Sequence, residues 1–391
     1  CIPGFIVSGK QLLDENNNPT REEVRDWYQK HRNVCRCNGY KPAVDAVMMA
    51  AKVLRGEMDE KELDFKMPED ERIWNTRYPR PSAVAKVTGT CEYGADLGQK
   101  LPADTLRLAL VQADVPHANI LSIDTSEAEK MPGVERVITH KDVKGSNRIF
   151  GFVSYPWSKQ DGYDRPILCD KKVFQFGDAV AIVCADTKEH AKEAAKKVKV
   201  EYEVLPAYMS APEALAPDAI EIHPGNPNMY CELKLIRGED PEEKFKKADV
   251  VLERDYYTQR QPHLPIEPDV GFSYVGENGE IVIQSKCITL YSNHFMICEG
   301  LGLEKDKLRM ISNPVGGSFG YKLSPTLEAL CAVVTIATGR PAYLEYDYFQ
   351  QITYTGKRAP AFINIKAAAN KDGKLVAVED DITMDHGAYS E

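Results

Sequence analysis

The chain has 391 residues, with 49 Lys and Arg against 59 Asp and Glu, a formal charge of −10, and 43% hydrophobic and 28% charged residues. These proportions exclude a collagen-like, mucin-like or wholly disordered chain, and at roughly 100–200 residues per domain the length predicts two to four domains. The acidic balance excludes a surface built to wrap nucleic acid, and no apolar run of about 18 residues is present to span a membrane.

Residues 1 to about 57 read as helical. Pro3 suits a first helical turn, with Phe5, Ile6, Leu12 and Leu13 behind it. Thr20 and Glu23 form a capping box ahead of Val24, Trp27 and Tyr28 at helical spacing. Pro42 opens a third helix with Val44, Val47, Met48, Ala51 and Leu54 as its apolar set, and Gly56 ends it. Residues 58–86 are dense in charge and broken by Pro68, Pro79 and Pro81, which marks a connecting segment.

From 87 to about 215 strands and helices alternate. Leu106–Val111, Val134–Thr139 and the apolar run Ala179–Ala185 are strand candidates, and Thr187 caps a helix that precedes the strand Val198–Tyr202. A second mixed segment starts near 230. Its strands are predicted at Asp249–Tyr257, Val270–Tyr274, Ile281–Ser285, Leu308–Ser312, Ala342–Tyr346 and Ala361–Ala369, with a helix at Leu327–Thr338 that Gly339 and Pro341 stop. Neither Cys1 nor Glu391 reads as a natural terminus, so the chain is expected to be part of a longer protein.

Ten cysteines are present. Seven are scattered singly, several in apolar surroundings such as Cys184 and Cys331, which is the usage of buried hydrophobes in a reducing, cytoplasmic setting. Cys35-Arg36-Cys37 instead sits in a polar turn between two helices, and Cys1 begins another helix. Helix starts and a nearby Arg favour the thiolate. Three thiols are one short of the four that an iron–sulfur cluster or a structural zinc takes, and three unrelated thiols would look the same.

Cys1-Ile2-Pro3-Gly4-Phe5 and Cys35-Arg36-Cys37-Asn38-Gly39-Tyr40 resemble the helical [2Fe–2S] domain of the xanthine oxidase family of molybdenum hydroxylases. The resemblance makes Cys1, Cys35 and Cys37 ligands of one [2Fe–2S] cluster, with a fourth cysteine expected three residues before Cys1.

Leu308–Ser312 leads into Asn313-Pro314-Val315-Gly316-Gly317-Ser318-Phe319-Gly320-Tyr321-Lys322, after which Ser324 and Pro325 are predicted as N-cap and first residue of a helix. Strand, glycine loop and helix start suit an anion, because glycines admit close backbone approach; a tight connection alone is the other reading. Neither nucleotide-binding glycine motif is present. The loop is similar to the family's Gly-Gly-x-Phe-Gly loop, which implies that Gly316, Gly317, Phe319 and Gly320 line a molybdenum–pterin site. Gln261–Pro268, Thr355–Arg358 and His386–Ser390 look like further stretches of the same family's molybdopterin domain. Tyr93–Asp96, Pro116–Ala118 and Leu121–Asp124 look like its hammerhead domain. His117 is read as structural, and so are His263 and Glu267, since Pro262, Pro265 and Pro268 deny them a helical metal-site geometry.

The resemblance implies a multi-domain α+β fold: a helical [2Fe–2S]-binding domain over 1–57, a connecting segment over 58–86, an α/β hammerhead domain over 87–215, and the N-terminal part of a molybdopterin-binding domain over 230–391. It further implies molybdenum-dependent oxidation with water as the oxygen source, electrons leaving through [2Fe–2S] clusters. The family's glutamate base is expected beyond Glu391, so no catalytic residue is named. The 30 or so residues between the helical and hammerhead domains cannot hold a flavin domain, which needs at least ~100. No FAD is therefore expected, and the chain is most similar to the family's flavin-independent, aldehyde-oxidising branch in anaerobic bacteria, with a molybdopterin cytosine dinucleotide. Purine-oxidising relatives carry a Glu just after the loop; here Leu323 occupies that place and predicts an aldehyde pocket. The expected partners are a small aldehyde, an electron-acceptor protein such as a flavodoxin or ferredoxin, and a second copy in a homodimer, with no nucleic acid and no membrane. The rivals are an N-heterocycle hydroxylase of the same family, an iron–sulfur electron-transfer protein without molybdenum, and a zinc-stabilised hydrolase.

Overall fold

Pro3 and the Thr20–Glu23 box set the first two helix starts. In a computed structural model, which describes residues 1–76, 78–151 and 162–390, α1 spans Ile2–Glu15 and α2 spans Arg21–Lys30, with both arms of the capping box in place. α3 spans Tyr40–Leu54. It starts two residues before Pro42, because Asn38 in a left-handed conformation (φ +61°) turns the chain into it from Gly39. Phe5, Leu12, Val24, Tyr28, Val44 and Ala51 close a small core among the three helices. A short helix, α4 (Ala83–Thr88), falls where the connecting segment was expected to end, and the first compact unit runs to Glu92.

The second unit is Tyr93–Glu391, of which Glu391 lies outside the described residues. It opens with α5 (Gly94–Gly98), β1 (Leu106–Gln112), β2 (Ala118–Asp124), β3 (Val134–Thr139), β4 (Arg148–Ile149), β5 (Arg165–Pro166), β6 (Lys172–Val173) and β7 (Ala179–Ala185). α6 (Lys188–Ala195) follows, with Thr187 accepting the His190 N–H as its cap. Then come β8 (Lys199–Val204), α7 (Ala211–Ala214), α8 (Glu242–Lys247), β9 (Val250–Thr258), β10 (Val270–Val275), β11 (Ile281–Ser285), α9 (Leu290–Leu301) and β12 (Leu308–Ser312). α10 (Thr326–Thr338), β13 (Ala342–Glu345), α11 (Tyr348–Tyr354), β14 (Ala361–Ala369) and β15 (Leu375–Met384) complete it.

Seven strands form one sheet in the order β12-β11-β10-β13-β1-β7-β3. The join is parallel: Leu106 of β1 pairs with Ala342 of β13, and Arg107 with Tyr343. The two mixed segments, which the sequence presents as successive blocks, thus share a central sheet. α9 and α10 pack on it through Met296, Ile297, Leu327, Leu330 and Val334, all fully buried. Each such side chain contributes about 1.5–3 kcal/mol, and the cluster they belong to is the largest among the described residues. Two three-stranded sheets, β6-β2-β8 and β15-β14-β9, and the pair β4-β5 are separate from it. Ser324 does not cap α10. The helix starts at Thr326 with Pro325 before it, and the Ser324 carbonyl is instead taken by the Lys286 ammonium at 2.7 Å.

Candidate functional site

The glycine loop leaves β12 and returns into α10. Its backbone is left-handed at Gly317 (φ +111°), Phe319 (φ +55°) and Gly320 (φ +101°). A side chain at Gly316 would drive its Cβ to 2.5 Å from the Cβ of Glu267, so glycine is required there by close approach. At Gly320 the reverse holds: the conformation demands glycine, and nothing stands within 4 Å of a Cβ position. Among the described residues the N–H groups of Gly317, Ser318 and Gly320 make no hydrogen bond within the protein, and the buried Ser318 hydroxyl has no partner. An unpartnered buried hydroxyl carries a free-energy cost, so Ser318 Oγ beside these uncommitted N–H groups fits a polar, anionic group.

Three separated stretches hold this loop. Glu267 Oε2 accepts the Gly316 N–H at 2.8 Å and pairs with the buried Lys322 ammonium at 2.9 Å. Arg358 donates to the Phe319 carbonyl at 3.2 Å, and its backbone bridges to Gln261. Tyr321 donates its hydroxyl to Asp269 at 2.7 Å. The structure thereby brings Gln261–Pro268, Gly316–Lys322 and Thr355–Arg358 into one neighbourhood. Asp385, just ahead of His386–Ser390, pairs with Arg260 at 2.7 Å.

Lys357 lies in the same wall and donates to the Thr355 carbonyl at 2.8 Å. Burial, helped by the neighbouring Arg165 and Arg260 charges, pulls its ammonium down to about 8. Leu323 is half-buried at the loop's exit, and its carbonyl accepts from Thr289 at 3.5 Å. His263 is buried beside Tyr321, their rings 5.3 Å apart. His117 is buried with Nδ1 on the Pro206 carbonyl at 2.5 Å, and burial lowers its pKa, in keeping with a structural role.

In the first unit, Cys1 precedes α1 and Cys35 and Cys37 lie in the loop before α3. Asn33 ties this loop to the α1 start by donating to the Gly4 carbonyl at 3.3 Å, so the three thiols share one end of the helical unit. Cys35 Sγ is half-buried and accepts the Gly39 N–H at 3.4 Å; Cys1 and Cys37 are exposed. Among the described residues no three His, Cys, Asp or Glu side chains converge to hold a metal ion, so the thiols do not form a complete ligand set as they stand. The donor chemistry still suits an iron–sulfur cluster.

Sequence reasoning missed what lies beneath the loop. Asp269, Lys286 and Glu328 are at most 1% exposed and form an ion triad. Its signal was present: Glu328 is the only charged residue in the apolar helix α10. Among the described residues no helix is long and apolar enough to cross a membrane.

Comparison with known proteins places three family models along the chain: a [2Fe-2S] binding domain at 1–48, the hammerhead domain of aldehyde oxidase and xanthine dehydrogenase at 88–206, and a molybdopterin cofactor-binding domain at 222–391. The chain is 62% identical over 391 residues to the aldehyde oxidoreductase of Megalodesulfovibrio gigas, of which it spans 43%. It is 33% identical over 324 residues to the nicotinate dehydrogenase large molybdopterin subunit of Eubacterium barkeri, covering 83% of this chain and 73% of that protein. The crystal structure of the aldehyde oxidoreductase from Desulfovibrio desulfuricans superimposes with a TM-score of 0.87 at 58% identity, over 97% of this chain and 42% of that one.

Proposed function

The chain belongs to the xanthine oxidase family of molybdenum hydroxylases, and from that footing we propose that it is the part of a flavin-independent aldehyde oxidoreductase that carries one [2Fe–2S] cluster and one wall of the molybdenum–pterin site. The observation that carries the reading is the loop Gly316–Gly320, in which the N–H groups of Gly317, Ser318 and Gly320 make no hydrogen bond within the protein and the Ser318 hydroxyl has no partner. A molybdenum–pterin group bound there supplies two-electron oxidation of a C–H bond, with water as the oxygen source.

This chain's own residues do the holding. Gly317, Ser318 and Gly320 offer N–H donors to an anionic or carbonyl edge, and Phe319, kept by Arg358 on its carbonyl, sets the loop's apolar lip. Glu267 and Lys322 fix the two ends of the loop, so the donors are arranged before the group arrives. Such advance arrangement lowers the cost of binding. Cys1, Cys35 and Cys37 are assigned to the cluster, and the Gly39 N–H donated to Cys35 Sγ at 3.4 Å orients that sulfur.

Leu323 argues for an aldehyde over a purine. A leucine offers no hydrogen bond to a heterocycle edge, and each unmatched buried polar group costs about 1–3 kcal/mol. The span from 58 to 86 is too short for a flavin domain, which supports electron exit to a protein such as a flavodoxin or ferredoxin; the cytosine dinucleotide form of the pterin rests on the same family branch. Steady-state rates of the full-length protein on acetaldehyde, benzaldehyde and xanthine test the reading. Aldehydes are expected to dominate in kcat/KM, and an equal or higher value for xanthine overturns it.

A further inference from the structure

Asp269, Lys286 and Glu328 come from three places: the residue before β10, the residue after β11 and the first turn of α10. Lys286 Nζ stands 3.4 Å from Asp269 Oδ2 and 3.6 Å from Glu328 Oε2. Its shortest bond, 2.7 Å, goes to the Ser324 carbonyl, where the glycine loop ends. Asp269 uses its other oxygen, Oδ1, to accept the Tyr321 hydroxyl at 2.7 Å. Glu328 Oε1 accepts from Ser285 at 2.6 Å, and the Asp269 N–H donates to Gln351 at 2.6 Å.

Two acidic side chains and one lysine thus share a site that is at most 1% exposed. Such a cluster is poor value for stability alone, since desolvation offsets most of the attraction. What it does supply is direction, because a charged acceptor fixes its donors more firmly than a neutral one. Burial pulls the Lys286 ammonium down, but Asp269 and Glu328 outweigh it and hold its pKa above the ordinary value. Both bonds that leave the triad for the loop, Asp269 to Tyr321 and Lys286 to Ser324, fall between the open cradle and α10.

We propose that the buried Asp269–Lys286–Glu328 triad positions the glycine loop, pinning it at Tyr321 and Ser324 so that the N–H groups of Gly317–Gly320 stay aimed into the cradle. How the loop is held stands on the bonds above; only what the loop holds rests on the molybdenum–pterin reading.

The test uses the full-length protein with its cofactors. Tyr321→Phe removes one hydroxyl and leaves the triad intact. Amide hydrogen exchange of the peptide containing Gly316 and Tyr321, whose N–H groups donate to Glu267 and to the Ser318 carbonyl, is expected to speed up about tenfold or more. Peptides from β10, β11 and α10 are expected to stay within twofold. A loop change below twofold, or an equal acceleration in all four, overturns the proposal. Lys286→Met, if it retains the parent circular dichroism, is expected to give the same loop-confined acceleration, and failure to do so counts against the proposal. Molybdenum content and the Mo(V) electron paramagnetic resonance line shape of Tyr321→Phe are read in parallel. An altered line shape with faster loop exchange supports both readings. Faster loop exchange with unchanged molybdenum content and line shape upholds the positioning role and removes the loop from the cofactor site.

Discussion

Glu267 Oε2 lies 2.9 Å from the Lys322 ammonium and 2.8 Å from the Gly316 nitrogen, so a single carboxylate oxygen grips both ends of a seven-residue glycine loop. Lys322 is fully buried, whereas the Glu267 side chain keeps 14% exposure. The pair is therefore structural in one partner and adjustable in the other.

Lys322→Met leaves the Glu267 carboxylate facing an apolar neighbour. Breaking a buried pair on one side costs about 3–5 kcal/mol, and the partial exposure of Glu267 puts this case near 3. A fall of that size in denaturant-unfolding free energy is expected. Glu267→Gln, which can still accept from Gly316 and Lys322, is expected to cost less than half as much.

At Gly317 a Cβ would sit 3.1 Å from the Phe319 ring and 3.3 Å from Pro265, at a φ that valine does not tolerate. Gly317→Val is expected to yield full-length protein with its iron retained and its molybdenum lost, measured by elemental analysis. Full molybdenum content in that variant would refute the assignment of the loop.

Cys35→Ser replaces the one half-buried thiol of the cysteine loop. The expected result is loss of one [2Fe–2S] signal in low-temperature electron paramagnetic resonance of the reduced full-length protein, with the other signal kept. Two unchanged signals would remove Cys35 from the ligand set.

Lys357 gives a pH prediction. Its folded pKa, about 8, lies below the ordinary lysine value of 10.5, first through burial and then through Arg165 and Arg260. Below pH 8 the lysine is charged in both folded and unfolded chains, and its desolvation cost is fully present. Between pH 8 and 10.5 the unfolded chain holds the extra proton, so stability rises with pH by this contribution. Above 10.5 the cost is gone. The free-energy difference between parent and Lys357→Met is expected to shift in the parent's favour by on the order of 2 kcal/mol from pH 7.5 to 10. A flat difference across that window would contradict the reading.

Local patterns were legible where short-range physics decides them. The Thr20–Glu23 box, the Thr187 cap and the apolar run Ala179–Ala185 all lie where their residue chemistry points. The cysteine loop and the glycine loop were legible too, because glycine, proline and cysteine at fixed offsets leave few alternatives. What stayed hidden depends on partners far away in the chain. Nothing around Leu106 announces that Ala342 will pair with it, since a buried strand looks alike whichever strand it joins. Nothing in Pro265-Ile266-Glu267-Pro268-Asp269 states that Glu267 will hold both Gly316 and Lys322 while Asp269 takes the Tyr321 hydroxyl. Ser324 reads as a helix cap because serine before proline usually is one; the buried Lys286, just past β11, takes its carbonyl, and the helix begins beyond Pro325.

The parallel pairing of Leu106 with Ala342 has a bearing on synthesis at the ribosome. The partners are 342 − 106 = 236 residues apart. At about 5–20 residues per second, β1 waits for tens of seconds before β13 emerges. Throughout that interval β3, β7 and β1 can already pair, and the apolar strand Leu106–Gln112 forms an open edge with unspent backbone donors and acceptors. The nascent chain therefore passes through a stage in which its central sheet is half-built and adhesive, and a chaperone that shields strand edges is the cellular factor on which its yield should most depend.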